Sequence, residues 1–138
     1  MDKATYKRRI WTYRQRRKVF RNHVKNLSKK IRQWEACLRN REIEEKKRKI
    51  IIGKLIKRVN EYFDIDIKEK KQSKKYVLAR NIYFKIGLER KLKGTHLAKE
   101  IGKSSKAAAK GRLKLLISFK HDNKIKQTYH SFKKYFEN

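Results

Sequence analysis

Apolar side chains recur along the N-terminal part of the chain at alternating steps of three and four residues. No proline occurs in the chain and no glycine precedes Gly53, so no residue forces a helix to stop in this region. Such spacing is typical of a helix that packs along one face, as in a coiled coil. We therefore predict a long N-terminal helix with an apolar seam that Arg17 interrupts once. The seam consists of Ile10, Tyr13, Phe20, Val24, Leu27, Ile31, Trp34 and Leu38.

The seam lapses across residues 39–48, where charged side chains take the place of apolar ones. Asn40 is a residue type that caps helices, and a helix starting there would carry Glu42 and Glu44 in its first turn. We predict a bend or boundary here. The predicted domains are a long basic amphipathic helix over residues 1–46 and a helical domain over residues 47–138.

The second half of the chain shows further helical periodicity and no sustained strand alternation. Residues 64–67 break the pattern, residues 68–75 form a polar basic stretch typical of a loop, and residues 76–92 are again rich in apolar side chains. The sequence therefore predicts an all-α fold in which the long basic helix is followed by a small helix-turn-helix bundle. The apolar positions that support this prediction are Ile52, Leu55, Ile56, Val59, Tyr62 and Phe63, and later Tyr129, Phe132 and Phe136.

Residues 95–110 have the spacing of a helix-turn-helix, in which two short helices meet at a sharp turn. Ala98 is small enough to let the two helices approach, and Gly102 suits a turn with positive φ. Ser104 or Ser105 is expected to cap the second helix. Ala108 is then expected to face the first helix.

Charge is the strongest compositional signal: 43 Lys and Arg residues oppose 13 Asp and Glu residues, a formal net charge of +30. Such self-repulsion favours a polyanionic partner. Two surfaces concentrate the positive charge, the N-terminal helix and a lysine stripe in the helix-turn-helix. The candidate phosphate contacts are Arg8, Arg9, Arg14, Arg16, Arg17, Lys18 and Arg21 on the first surface and Lys103, Lys106, Lys110 and Lys114 on the second.

Residues from about 52 to 116 resemble the C-terminal helix-turn-helix DNA-binding domain of the bacterial replication initiator DnaA. The resemblance rests on Tyr62-Phe63, on the basic stretch 70–75, on Ala79-Arg80-Asn81-Ile82 and on Glu100-Ile101-Gly102. It implies that a basic loop enters the minor groove and that the second helix of the motif enters the major groove. The family's Arg-Asp-His-Thr signature is absent, so its base specificity does not carry over. The residues that inherit the two roles are Lys71, Lys74, Lys75 and Arg80 for the loop and Ser105, Lys106 and Lys110 for the helix.

Base preference is expected to be weak. Between Ser104 and Gly111 there is no Arg, Asn or Gln, the side chains that make bidentate contacts with base edges.

No catalytic, cofactor or metal site is expected from the sequence. No activated nucleophile, paired acid or glycine-rich phosphate loop stands out, so we predict that the chain is not an enzyme. The lone Cys37 and the four histidines lack zinc-ligand spacing. The longest apolar run, at residues 50–52, is too short to cross a membrane, and no secretory leader is recognised. A cytoplasmic location is expected, at the nucleoid or within a nucleoprotein particle.

The favoured function is therefore non-catalytic binding of duplex DNA. Two alternatives remain open on the sequence alone: an RNA-binding protein of ribosomal type, and a structural protein that packages nucleic acid in a particle. The apolar seam is expected to be covered by a second copy of the chain or by its own C-terminal half, with self-association slightly favoured.

Overall fold

The computed structural model describes every residue from Met1 to Asn138 and contains helices and no strand, which confirms the predicted all-α class. The chain divides into two compact units, Met1–Glu45 and Lys46–Asn138. None of the helices combines the length and the apolar character needed to span a membrane. The helices are α1 Lys3–Phe63, α2 Lys74–Glu89, α3 Gly94–Glu100, α4 Ala107–His121 and α5 Asn123–Glu137.

The prediction that a new helix starts at Asn40 is wrong, because α1 is continuous through residues 39–48 and Asn40 lies inside it rather than at a cap. The division between the two compact units does fall in this segment, between Glu45 and Lys46. Three glutamates explain the continuity. Glu42, Glu44 and Glu45 each precede a basic residue by four positions, the orientation in which Glu–Lys and Glu–Arg pairs stabilise a helix. The loss of apolar periodicity therefore does not mark the end of the helix.

The first unit contains only helix, and all eight side chains of the apolar seam are exposed in the single chain. Their exposed fractions run from 38% for Ile10 to 69% for Tyr13. The predicted seam thus exists on α1 as an exposed apolar stripe that Arg17 interrupts once.

The second unit holds the hydrophobic core, and α2 lies at its centre in contact with α3, α4 and α5. The apolar positions predicted at the end of α1 are buried, except that Tyr62 is 37% exposed. α2 and α4 cross closely at Gly111, where an added Cβ would lie 2.8 Å from Asn81 Oδ1 and 2.9 Å from Phe84 Cδ2. Only glycine fits this crossing without displacing those side chains.

Two short helices and a glycine turn lie at the residues where the sequence predicts them, but the predicted serine cap is wrong. The two helices α3 and α4 are separated at residues 101–106, Gly102 has a φ of +66°, and Ala98 and Ala108 are buried. Neither Ser104 nor Ser105 caps α4: its N-cap is Lys106, in a helical conformation and without a side-chain cap. The turn is closed instead by the backbone, since Ala107 N–H donates to the Ser104 carbonyl.

α5 begins at a true side-chain cap, because Asp122 Oδ1 accepts hydrogen bonds from the backbone N–H groups of Lys124 and Ile125 at 2.8 Å and 3.3 Å. Its predicted apolar face packs into the core through Tyr129 and Phe132, with Phe136 partly buried beside them. The Tyr129 hydroxyl donates to the carboxylate of Glu89, at 2.7 Å and 2.8 Å from its two oxygens. This contact joins the C-terminal helix to the end of α2.

Candidate nucleic-acid interface

A cleft runs between α2, α4 and the turn before α4. Lys103 comes from the turn, and Lys110 and Lys114 lie one helical turn apart on α4. The structure therefore brings three residues of the predicted lysine stripe to one concave surface. The lining side chains and backbone belong to Gln72, Val77, Arg80, Asn81, Phe84, Lys103, Ser104, Ala107, Lys110, Gly111 and Lys114.

The cleft is strongly electropositive. None of its lining residues is acidic, and no Asp or Glu occurs in the sequence between Glu100 and Asp122. Ala107, the first residue of α4, also lines the cleft, so the positive end of that helix's dipole lies at the same surface. Lysine ammonium groups gathered in this way repel one another, and a bound phosphate would reverse the sign of that energy.

Two amide side chains lie in the same cleft, and the sequence reading missed both. Gln72 comes from the loop before α2, and Asn81 comes from the middle of α2. Asn and Gln can make bidentate contacts with adenine. Neither residue belongs to the helix expected to enter the groove, because the fold brings one amide in from another helix and the other from a loop.

Arg80 does not present its guanidinium to solvent. It is only 5% exposed and donates from Nε to the Ile67 carbonyl at 2.9 Å and from Nη1 to the Lys71 carbonyl at 2.7 Å. Nη2 donates to the Glu69 carbonyl. Burial lowers the pKa of Arg80 from its ordinary value, while the neighbouring Tyr76 opposes this shift. We call this arrangement the Arg80 clamp, and it holds the basic loop rather than a phosphate.

The loop that the Arg80 clamp holds is further fixed at both ends. Ile67 is fully buried, and its N–H donates to the Asn60 side chain at 3.0 Å. Lys71 pairs with Glu69 at 2.9 Å, and both side chains hydrogen bond to the Tyr76 hydroxyl. The hydrogen bond to Glu69, with that to Tyr76, raises the pKa of Lys71. Lys71 is exposed enough to meet a phosphate, but one acid already offsets part of its charge.

The remaining candidates of the second unit are spread over its surface. Lys74 and Lys75 were expected in the loop, but they are exposed in the first turn of α2, because that helix begins earlier than the apolar pattern indicates. Ser105 lies on a different groove of α4, beside Gly94 and Leu113. Lys106 is exposed at the start of α4 and lines neither surface.

The candidates of the first unit are all exposed on α1, and they face different sides of the helix. Arg17 occupies the slot that interrupts the seam, while Lys18 lies one position beyond it. The exposed set is Arg8, Arg9, Arg14, Arg16, Arg17, Lys18 and Arg21.

No three His, Cys, Asp or Glu side chains are grouped closely enough to hold a metal ion. In comparisons with known proteins, no family model, no curated protein and no solved structure matches this chain.

Proposed function

We propose that this protein is a non-catalytic nucleic-acid-binding protein that grips the phosphate backbone of duplex DNA. The observation that carries the proposal is the cleft between α2 and α4, in which Lys103, Lys110 and Lys114 line one acid-free surface at the start of a helix. Phosphates satisfy both the lysines and the helix end. The helix-turn-helix reading of α3 and α4 supports the same surface, since its second helix is the one that enters a groove.

In the proposed interface, the basic loop supplies lysines that contact phosphate, and Arg80 holds the loop in position. The resemblance to the DnaA domain gives Lys71, Lys74, Lys75 and Arg80 a role in the minor groove. In our proposal only the three lysines meet phosphate, and Arg80 is a positioning residue because its donors are committed to loop carbonyls. The exposed basic face of the first unit adds further phosphate contacts.

Base preference is proposed to be weak and to come from Asn81 and Gln72. These are the amide side chains in the cleft, and each good bidentate contact with a base contributes about 1–3 kcal/mol of discrimination. Competition between scrambled duplexes should therefore show less than about a hundredfold discrimination. Asn81→Ala should remove most of whatever preference is measured, and a larger preference that survives this change would contradict the proposal.

The salt dependence of binding tests the cleft directly. The variant K103Q/K110Q/K114Q should reduce the slope of log affinity against log salt by about 2.7, because each phosphate contact with duplex DNA contributes about 0.9. The matched control is K124Q/K126Q/K134Q, which removes the same charge from exposed positions of α5. The control should change the slope by less than about 1.

Two results would redirect the proposal. Equal slope changes in the two triple variants would show that binding follows net charge and not the cleft. Tighter binding to a structured RNA than to a duplex of equal charge, at matched salt, would assign the protein to RNA instead.

A further inference from the structure

The apolar seam of the first unit has the spacing with which one helix packs against another. Its eight side chains follow the steps of three and four over residues 10–38, with Arg17 in one slot, and every one of them is exposed. At about 1.5 Å of rise per residue the stripe is about 42 Å long. An exposed apolar stripe of this length is the mark of an interaction surface.

Charge is distributed unevenly along the same helix. Residues 1–34 contain 13 basic residues and one acid, whereas residues 35–45 contain four acids and two basic residues. A second copy in parallel orientation would place the two basic ends side by side. A second copy in antiparallel orientation would place each basic end against an acidic one.

We propose that the part of the seam from Phe20 to Leu38 is covered by the same part of the seam in a second copy of this chain, running antiparallel and centred near residue 29. In a heptad numbered from Ile10 as position a, a residues face d residues of an antiparallel partner. This register forms a core of apolar layers. The layers are Phe20 with Leu38 of the partner subunit, Val24 with Trp34 of the partner subunit and Leu27 with Ile31 of the partner subunit, each occurring twice.

The positions flanking the seam support this register. Arg21 lies opposite Glu35 of the partner subunit, and Arg14 lies opposite Glu42 of the partner subunit, so that symmetry gives four favourable contacts. Among the flanking positions, the contact of Lys30 with Lys30 of the partner subunit is unfavourable. Arg17 also meets Arg41 of the partner subunit, an unfavourable contact that occurs twice, and these two arginines bound the apolar layers.

The parallel alternative matches less well. It would place Arg16 beside Arg21 of the partner subunit, and Arg17 beside Arg17 of the partner subunit within the core. Its one favourable flanking pair joins Lys30 to Glu35 of the partner subunit. Charge complementarity therefore selects the antiparallel orientation.

The dimer leaves a basic face available for phosphate. Residues at the outer heptad positions point away from the seam, and they include three lysines and two arginines that can bind phosphate. The proposal is therefore compatible with DNA binding but does not rest on it. The outer basic residues are Arg8, Lys18, Lys25, Lys29 and Arg32.

Molar mass tests the assembly. Sedimentation equilibrium of the full chain, freed of nucleic acid and at physiological ionic strength, should show a dimer. Val24→Asn should raise the dimer Kd by about tenfold or more, because it buries an amide without a partner in two layers. Val19→Asn is the matched control, since Val19 is exposed and lies off the seam, and it should change Kd by less than about twofold. A chain that stays monomeric, or equal effects of the two variants, would overturn the proposal.

Spin-label distances test the orientation. In a Cys37→Ser background, labels at Gln15→Cys and Lys29→Cys occupy the same outer heptad position on an exposed surface. In the antiparallel dimer the two Gln15→Cys labels are about 42 Å apart along the axis, whereas the Lys29→Cys labels lie at nearly the same height. Short and equal distances at both positions would mean a parallel dimer and would overturn the proposed orientation.

A charge swap tests the named pairs. Glu35→Arg should weaken the dimer, and R21E/E35R should restore it, because the swapped residues meet again across the antiparallel interface. Residues 21 and 35 are about 21 Å apart along one helix, so no contact within the chain can produce this rescue. Failure of the rescue, with helix content unchanged by circular dichroism, would contradict the register.

Discussion

The two compact units carry similar densities of positive charge but use their apolar side chains in opposite ways. The first unit has 15 basic residues against 5 acidic ones, and the second has 28 against 8. In the first unit the seam side chains are exposed, whereas in the second unit eighteen hydrophobic residues form a buried core. A strongly basic composition therefore leaves the mode of folding open, and the placement of apolar residues decides it. Side chains that converge from several helices make a core, while side chains along one helix make a surface for a partner.

The largest effect should come from replacing a phenylalanine by alanine in each of the two units. Phe132 is fully buried, and Phe132→Ala should lower the free energy of unfolding of the second unit by about 3–5 kcal/mol. Phe20 is 67% exposed, and Phe20→Ala should change that free energy by less than about 0.5 kcal/mol. Denaturant dependence of amide exchange in α2 measures both. Equal losses would mean that the seam contributes to the same core. The two units would then not differ in how they use their apolar side chains.

The second-largest effect should come from breaking the Arg80 clamp. The clamp fixes the backbone of the basic loop, and it is the feature that most distinguishes this loop from the basic helix α1. Arg80→Met keeps an apolar stem but leaves the carbonyls of residues 67, 69 and 71 without their donors. We expect a loss of about 2–3 kcal/mol, seen as a lower Tm and faster proteolysis of residues 68–73. Arg80→Lys should rescue little, because one ammonium group cannot span the three carbonyls. Arg112→Met, at an exposed position of α4, is the control and should leave Tm unchanged.

A smaller, pH-dependent effect is expected at Glu89. Burial alone would raise the pKa of Glu89, but hydrogen bonds from Lys85 and Tyr129 and the charge of Lys133 hold it below its ordinary value of 4.5. A carboxylate with a lowered pKa in the folded state contributes stability above its unfolded pKa and loses it as pH falls through the folded value. Glu89→Gln should thus cost about 1 kcal/mol near neutral pH, a figure discounted for partial exposure, and nothing in strong acid.

Thermal unfolding over a pH series measures the Glu89 effect. Asp2→Asn in the first unit, which also removes one carboxylate, should leave the second unit's pH profile unchanged. A loss that is constant with pH would mean that the Glu89 contacts stabilise through packing rather than through charge.

The smallest effect compares two glycines within helices. An added Cβ at Gly53 of α1 would meet no atom within 4 Å, so Gly53→Ala should stabilise the second unit by about 0.5–1 kcal/mol. At Gly87 of α2 the same Cβ would lie 2.6 Å from Cδ1 of the buried Leu97, so Gly87→Ala should destabilise it. Chemical denaturation measures both. Two changes of the same sign would mean that the packing around α2 adapts more readily than its burial indicates.

Local patterns in the sequence were enough to predict the helices. Apolar periodicity located α1, α2 and α5, and Gly102 located the turn between α3 and α4, because these features depend on residues close in the chain. The same reasoning failed at residues 39–48, where charge pairs four positions apart stabilise α1 and Ile43 alone gives no apolar periodicity to indicate the helix. It failed again at Ser104 and Ser105, where backbone hydrogen bonds close the turn and no hydroxyl cap is used.

The candidate site could be predicted only in part. The lysine stripe follows from spacing on one helix, so Lys110 and Lys114 were found together. Gln72 and Asn81 reach the same cleft from other elements, and only the crossing of α2 and α4 at Gly111 makes them neighbours of those lysines. The role of Arg80 depends on three backbone carbonyls that face one point after the loop has folded. No pattern of side chains in the sequence encodes that convergence.

If the proposed function holds, the Arg80 clamp also affects how fast this chain associates with a polyanion. Because the guanidinium fixes the loop backbone, the backbone that carries Lys71 is ordered before a phosphate would arrive, and its ordering entropy is lost during folding rather than during association. A preordered surface on a chain of net charge +30 is a favourable target for electrostatic steering. Such encounters reach about 10⁸–10⁹ M⁻¹ s⁻¹ at low salt and slow steeply as ionic strength rises. The association rate with a polyanion is therefore expected to approach the diffusion limit in dilute buffer and to fall as salt screens the charges.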